Sequence, residues 1–193
     1  MSTALMSTPI GREQSDEADL CGRVARGDEG AFEELVSLYQ SRVVRLAHRL
    51  LGWNADVDDV TQEVFLTVLR KCGSFRGEAS LWTWLTTITL NRCRSHHRRL
   101  LLRAKLSSLL PFAGLSAGRP EEAALSDELS REVRSAVAAL PVRDREVVVL
   151  FYLERKSAAE IGRLVGSSTN AVEVRLHRAR ERLRAALRSF MKD

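Results

Sequence analysis

Apolar residues recur at helical spacing along most of the chain, and no stretch alternates with the two-residue period of a strand. From Asp28, Phe32, Leu35, Val36, Tyr39, Val43, Leu46, Ala47 and Leu50 follow one another at i, i+3, i+4, i+7, and Gly52 ends the run. From Asp56 to Lys71, Val57, Val60, Val64, Phe65 and Val68 share one face while Asp58, Asp59, Gln62 and Glu63 gather on another. One side is built to be buried, and the other offers negative charge. After Gly73 comes Phe75-Arg76-Gly77-Glu78-Ala79-Ser80, a loop whose serine can cap a helix through Leu81, Trp82, Trp84, Leu85 and Ile88. That helix starts as a core element and ends in Arg92, Arg94, His96, His97, Arg98 and Arg99, a phosphate-binding composition. Ahead of these lies a short helix from Ser15 or Asp16 to Arg26, closed by Gly27, and a tail over Met1–Gln14 with no period, expected to be disordered.

Beyond Arg103 the period breaks. Ser107, Ser108, Pro111, Gly114, Ser116, Gly118 and Pro120 mark residues 104–125 as a linker. Fully extended, it spans on the order of 60 Å at about 3.3 Å per residue, so the domains on either side need not touch. Leu106, Leu109, Leu110, Phe112 and Leu115 make it apolar for a free tether, which suggests a groove on a partner or on its own domains. Helical patterning resumes over Ser126–Leu140, and Pro141 stands at the first turn of a helix whose core side is Val147, Val148, Leu150 and Phe151. Ser157–Val165, a turn at Gly166 and a basic helix from Ser168 have the form of a helix-turn-helix. Gly162 sits where its two helices would cross closely. The predicted fold is all-α: a helical domain over 15–103 and a second over 126–193.

Charge sharpens this outline. The net charge of +5 is modest, but arginines cluster at Arg92–Arg103 and Arg175–Arg188, while acids collect before Glu34 and over Asp56–Glu63. In the last helix Val172, Leu176, Leu183 and Leu187 can face inward, leaving Asn170, Glu173, Arg175, Arg178, Arg180, Arg182 and Arg184 for solvent or DNA. Asn170 and Glu173 lie at its N-terminal end, the part of a recognition helix that reaches base edges, with Arg175 and Arg178 placed for bases or phosphates. A solvated arginine-rich helix with Glu181 paired at the surface accounts for the same composition.

Three cysteines without paired spacing suit a reducing compartment, and no signal peptide or membrane-length apolar run is present, so a soluble intracellular protein is expected. Cys93, His96 and His97 could be read as part of a metal site, but no fourth ligand or CxxC accompanies them and their helix is already cationic. No cofactor is expected. Bases stack on aromatic rings, yet Leu81, Trp84, Leu85 and Ile88 form a core-like stripe, which assigns Trp84 to packing and leaves Trp82 and Phe75 open.

Two motifs carry a resemblance to a known family. Asp56-Val57-Asp58-Asp59-Val60-Thr61-Gln62-Glu63-Val64-Phe65, then Phe75-Arg76-Gly77-Glu78, Trp84-Leu85, Ile88 and Asn91 before a basic run, resemble region two of extracytoplasmic-function sigma factors. Ser157–Leu187, with Glu160-Ile161, Gly166, Val172, Arg175-Leu176-His177-Arg178-Ala179-Arg180 and Leu183, resembles their region four. Both occur in the family's order, separated by a linker with no region-three domain.

The resemblance implies a bacterial cytoplasmic subunit, not an enzyme, that joins core RNA polymerase and directs promoter-specific initiation. Asp58, Asp59, Gln62 and Glu63 match the surface that docks on the clamp of the largest subunit. Phe75, Arg76 and Ser80, with Asn91, Arg94 and Arg98 on one face of the following helix, match the apparatus that melts and holds the −10 element. Ser168, Asn170, Glu173, Arg175 and Arg178 match the −35 reader. Members are commonly restrained by an anti-sigma factor. Ser95 and Glu173 depart from the family pattern, which has an acid and a base there, so a typical −35 preference is not implied; the glutamate could accept from a cytosine amino group. The chain ends at Asp193, leaving no length for an appended sensor domain. The alternative reading is a helix-turn-helix regulator that never joins polymerase. An enzyme is the weakest reading, since neither a phosphate-binding glycine loop nor a nucleophile elbow occurs.

Overall fold

The computed structural model describes residues 10–53, 56–107 and 128–188. Helices α1 (Ile10–Ala25), α2 (Glu29–Leu51), α3 (Val57–Lys71) and α4 (Leu81–Ser107) form the first unit, with a 3₁₀ turn at Cys72–Ser74. Helices α5 (Glu128–Ala138), α6 (Val142–Val148), α7 (Ala158–Val165) and α8 (Thr169–Ala186) form the second, with a π-helical turn at Val149–Leu153. Two expected boundaries move. The first helix already begins at Ile10, inside the stretch expected to be disordered, and α4 runs to Ser107, past the expected linker start at Ala104. Residues 1–9 and 108–127, with the remaining tail and linker expectations including Leu109, Leu110, Phe112 and Leu115, lie outside the described residues.

The helices start and stop where local chemistry demands. Asp28 caps α2 by accepting from the Ala31 N–H at 2.9 Å, and Gly52 ends it in the left-handed region at φ 76°. Ser80 Oγ accepts from the Thr83 N–H at 3.2 Å at the start of α4. A second cap arrives from outside that helix: Glu17 on α1 accepts from the Leu81 N–H at 2.7 Å with one oxygen and from the Tyr39 hydroxyl at 3.1 Å with the other. One carboxylate thereby ties α1, α2 and α4 together. Burial and that neighbouring charge push the Tyr39 hydroxyl up to about 12.

The core of the first unit follows the predicted stripes, with Leu90 of α4 added to them. Leu35, Val43, Leu46 and Leu50 of α2 meet Val57, Val60, Val64 and Val68 of α3 and Leu81, Leu85 and Leu90 of α4, all buried. On α4 the expected stripe packs, Trp84 with it, and the tryptophan left open is the deeper of the two. Trp82 is the buried tryptophan, 5% exposed, whereas Trp84 is half-buried against Phe75 with ring centroids 5.5 Å apart.

In the second unit Val147, Val148, Val149, Leu150, Ile161, Val172, Leu176 and Ala179 are buried, while Phe151, Leu183 and Leu187 are half-buried. A capping box of Ser157 and Glu160 opens α7, and a left-handed Gly166 at φ 68° ends it at the turn into α8. Gly162 is small because of the turn itself. A Cβ there would lie 2.8 Å from the Ser167 carbonyl oxygen, which accepts no such neighbour.

Although the linker is long enough to keep them apart, the two units are in contact, α2 meeting α6 and the π-helical turn. Arg145 on α6 is buried in the seam; its Nη1 donates to the Ala138 carbonyl at 2.6 Å and lies 2.6 Å from where a Cβ on Gly52 would stand. Gly52 is therefore required by both its φ and its neighbour.

Candidate functional site

The structure sorts the candidate residues into three surfaces. On α3, Asp58, Asp59 and Gln62 are exposed on the side away from the packed valines, and neither aspartate makes an ion pair among the described residues. Glu63 differs. It is half-buried, accepting from Arg99 Nη2 at 2.8 Å with Arg92 Nη1 at 4.0 Å, so α4 partly neutralises the charge that the spacing assigned to the open face. Asp56 stands at the N-terminus of α3 with its carboxylate 3.1 Å from His96 Nε2, a second tie between the same helices.

The second surface is the loop before α4 and the outer side of that helix. Phe75 is anchored on Trp84, Arg76 is exposed near Glu78, and Ser80 is committed to its cap. Asn91 and Arg98 face solvent, but Arg94 does not share their freedom. Its guanidinium grips Glu146 of α6 with two parallel bonds, Nε to Oε1 at 2.8 Å and Nη2 to Oε2 at 2.6 Å. The hydrogen bonds to that carboxylate raise the Arg94 pKa further. The spacing that placed Asn91, Arg94 and Arg98 on one face thus holds in the helix, while the second unit covers its middle.

The third surface is α8. Ser168 caps it by accepting from the Ala171 N–H at 3.2 Å, and Asn170, Glu173 and Arg178 are exposed along its first turns, with Arg175 half-buried. Further along, arginines are partly spoken for. Arg180 donates to the Tyr152 hydroxyl at 2.7 Å, Arg182 pairs with Asp144, and Arg184 pairs with Glu181 at 2.7 Å, the surface pairing expected of a solvated helix. Among the described residues of α8, the charges without an ion-pair or hydrogen-bond partner are therefore those nearest its N-terminus.

Several interacting residues carry no signal in the sequence. Glu154, just after the π-helical turn, accepts from Trp82 Nε1 at 3.1 Å and Arg49 Nη1 at 3.3 Å, with Arg42 Nη2 at 3.9 Å. Lys156 donates to Thr83 at 2.9 Å. No spacing rule links residue 49 or 82 to residue 154, so only the folded chain reveals them. The seam between units is lined by Leu50, Leu51, Leu90, Cys93, His97, Val142 and Arg145 beside the Arg94–Glu146 pair. Burial pushes the Cys93 thiol up to about 12, and burial together with Arg145 lowers the His97 pKa. A thiol held protonated makes a poor metal ligand, and no group of three His, Cys, Asp or Glu among the described residues is arranged to hold a metal. Nor is any described helix long and apolar enough to cross a membrane.

Comparison with known proteins gives this arrangement a family. Residues 35–101 match the model of sigma-70 region 2, and residues 130–183 match that of sigma-70 region 4. The ECF RNA polymerase sigma factor SigW of Bacillus subtilis is 32% identical over 177 residues, covering 87% of this chain and 95% of SigW. The RNA polymerase sigma-H factor of Pseudomonas aeruginosa is 31% identical over 189 residues, covering 93% and 98% respectively. Among solved structures, CnrH in complex with the cytosolic domain of CnrY aligns with a TM-score of 0.60 at 27% identity, over 90% of this chain and 97% of that one. Both expected regions are present in the expected order and across nearly the full length of the relatives, and on that ground the chain belongs to the extracytoplasmic-function sigma factors of RNA polymerase.

Proposed function

We propose that this sigma factor divides its work among the three surfaces: Asp58, Asp59 and Gln62, with Glu63 at their edge, dock on the clamp of the polymerase's largest subunit. Phe75, Arg76, Ser80, Asn91, Arg94 and Arg98 take the −10 element, and Ser168, Asn170, Glu173, Arg175 and Arg178 take the −35 element. The first helical unit, with α4 reaching Ser107, serves as the core-binding domain and the second as the duplex reader, joined by the linker. Sigma factors are not a family of catalytic enzymes, and this one is taken to act by binding alone, in the bacterial cytoplasm. An anti-sigma factor is the expected restraint, as CnrH is found with the cytosolic domain of CnrY.

The observation that carries the reading is the separation of surfaces: two exposed aspartates that make no ion pair among the described residues on α3, and Asn170, Glu173 and Arg178 exposed with Arg175 half-buried at the start of α8. Holding a base out of the duplex costs a few kcal/mol, on the order of one unstacking step, which the cationic end of α4 must offset through backbone contacts. Replacing Asp58 and Asp59 with lysine tests the assignment. Co-elution with core polymerase at low salt should be lost while binding to duplex DNA survives; retention of core binding would defeat the docking role.

A further inference from the structure

Among the described residues, a cluster of donors on α2 and α4 takes its counter-charge from the second unit and not from the first. Arg42 lies with its guanidinium carbon 3.9 Å above the Trp82 ring, Tyr39 stacks on the same ring at 6.4 Å, and Arg49 stands beside them. Trp82 Nε1, Arg49 Nη1 and Arg42 Nη2 converge on one carboxylate, Trp82 and Arg42 at one oxygen and Arg49 at the other. An aromatic plate, an N–H and two guanidinium groups form an anion seat. In the structure its occupant is Glu154, whose side chain is only 6% exposed. Along the same helix, Arg94 is occupied in the same manner by Glu146, 5% exposed.

We propose that Arg42, Arg49 and Trp82 are a phosphate seat for the promoter strand, and that Glu154 and Glu146 fill this seat and Arg94 as carboxylate stand-ins while the two units are closed. The proposal rests on reading α4 as the −10 surface, and it adds α2 to that surface. It also makes the C-terminal unit an intramolecular competitor of the nucleic acid.

Energetics favour a clasp that can be displaced. Burying charged pairs in a seam costs desolvation that their attraction roughly offsets, so such contacts fix geometry more than they add stability. The seam also carries an uncompensated cost: Arg145 is 7% exposed, its Nε has no partner, and burial lowers its pKa. A strand offering a row of phosphates would satisfy the same arginines and release the carboxylates to water.

The test uses the full chain and a short fluorescein-labelled single strand of random sequence, read by anisotropy at low salt, with small-angle scattering to follow separation of the units. Glu146→Gln with Glu154→Gln should open the molecule and tighten strand binding about tenfold, the gain expected if roughly a tenth of the wild-type population is open. Removing two acids also raises affinity without regard to place, so Glu29→Gln with Glu33→Gln, exposed on α2, serves as the charge-matched control and should change binding less than about twofold. Val142→Ser leaves charge unaltered, loosens the seam and should shift binding in the same direction, guarding against misfolding of the glutamine variant. Adding Arg42→Ala and Arg49→Ala to the open variant should erase the gain.

Strand affinity equal to wild type in both opened proteins, or a gain that survives loss of Arg42 and Arg49, overturns the proposal. Opening of wild type by inorganic phosphate at matched ionic strength, as readily as by the strand, overturns its assignment to nucleic acid. Core association through Asp58 and Asp59 is a separate readout, so its failure defeats the docking assignment and leaves the clasp standing, and the reverse also holds.

Discussion

Glu173 is the residue on α8 whose chemistry is least expected of a DNA-facing helix. It is exposed in the first turns, between Asn170 and Arg178, where a carboxylate repels phosphate but can accept from a cytosine amino group. Glu173→Ala is expected to relax selection at one base pair of the −35 element by about 1–3 kcal/mol, read by binding to a randomised duplex library. Arg178→Ala should instead weaken all sequences alike and reduce the salt dependence of binding. Uniform weakening by both would remove Glu173 from base reading. At the start of α7, hydrogen bonds from the Ser157 hydroxyl and its N–H hold the Glu160 carboxyl below its ordinary 4.5. A lowered carboxylate pKa supports the fold above that ordinary value, and the support disappears as pH falls through the folded-state value. Ser157→Ala should therefore cost about 1 kcal/mol at neutral pH in urea unfolding, and less in acid.

Among the elements, α7 and α8 depend on one glycine and α4 on one remote carboxylate. Gly162→Ala would gain about 1 kcal/mol of helix propensity but press a methyl onto the Ser167 carbonyl, an overpacking penalty of about 1–3 kcal/mol. The expected net result is a loosened turn with weaker duplex binding and no loss of core association; unchanged duplex affinity would contradict it. Glu17→Ala should fray the start of α4 at a cost of about 1 kcal/mol, seen as faster amide exchange at Leu81. Helix identity was legible in the chain because one buried stripe at a 3.6-residue period marks each element. Which tryptophan lies deeper was not legible for a related reason. A period locates the face turned toward a helix's own domain, whereas Trp82 is also covered from the side by Glu154 of the other unit. Glu17 escaped notice because its target, the Leu81 N–H, belongs to a different helix.

For the molecule as a whole, the contact between units is what the sequence could not show: a linker's length bounds how far two domains can part and says nothing of whether they meet. Charge clusters located the α3, α4 and α8 surfaces, yet Glu146 and Glu154 flank the apolar run Val147–Leu153 beside Arg143, Arg145, Arg155 and Lys156, where mixed signs hide any acidic surface. Closure should also respond to pH. His97 in the seam has a lowered pKa, from burial first, then Arg145 and His96, opposed by Glu146. The open form thus binds protons more readily, so closure is favoured above the ordinary imidazole value of 6.5 and weakens as pH falls below it. Scattering should report a larger radius of gyration at about pH 5.5 than at about pH 7.5, and His97→Gln should flatten the difference. Equal radii would show that this imidazole does not sense closure.

In vitro transcription from a pool of random promoters, with purified core polymerase and this chain, bears most directly on the whole assignment. Start sites should rise well above those of core enzyme alone and share two upstream elements at a fixed separation, with the signal lost when Asp58 and Asp59 become lysines. A pattern of starts identical to that of core polymerase alone would contradict it.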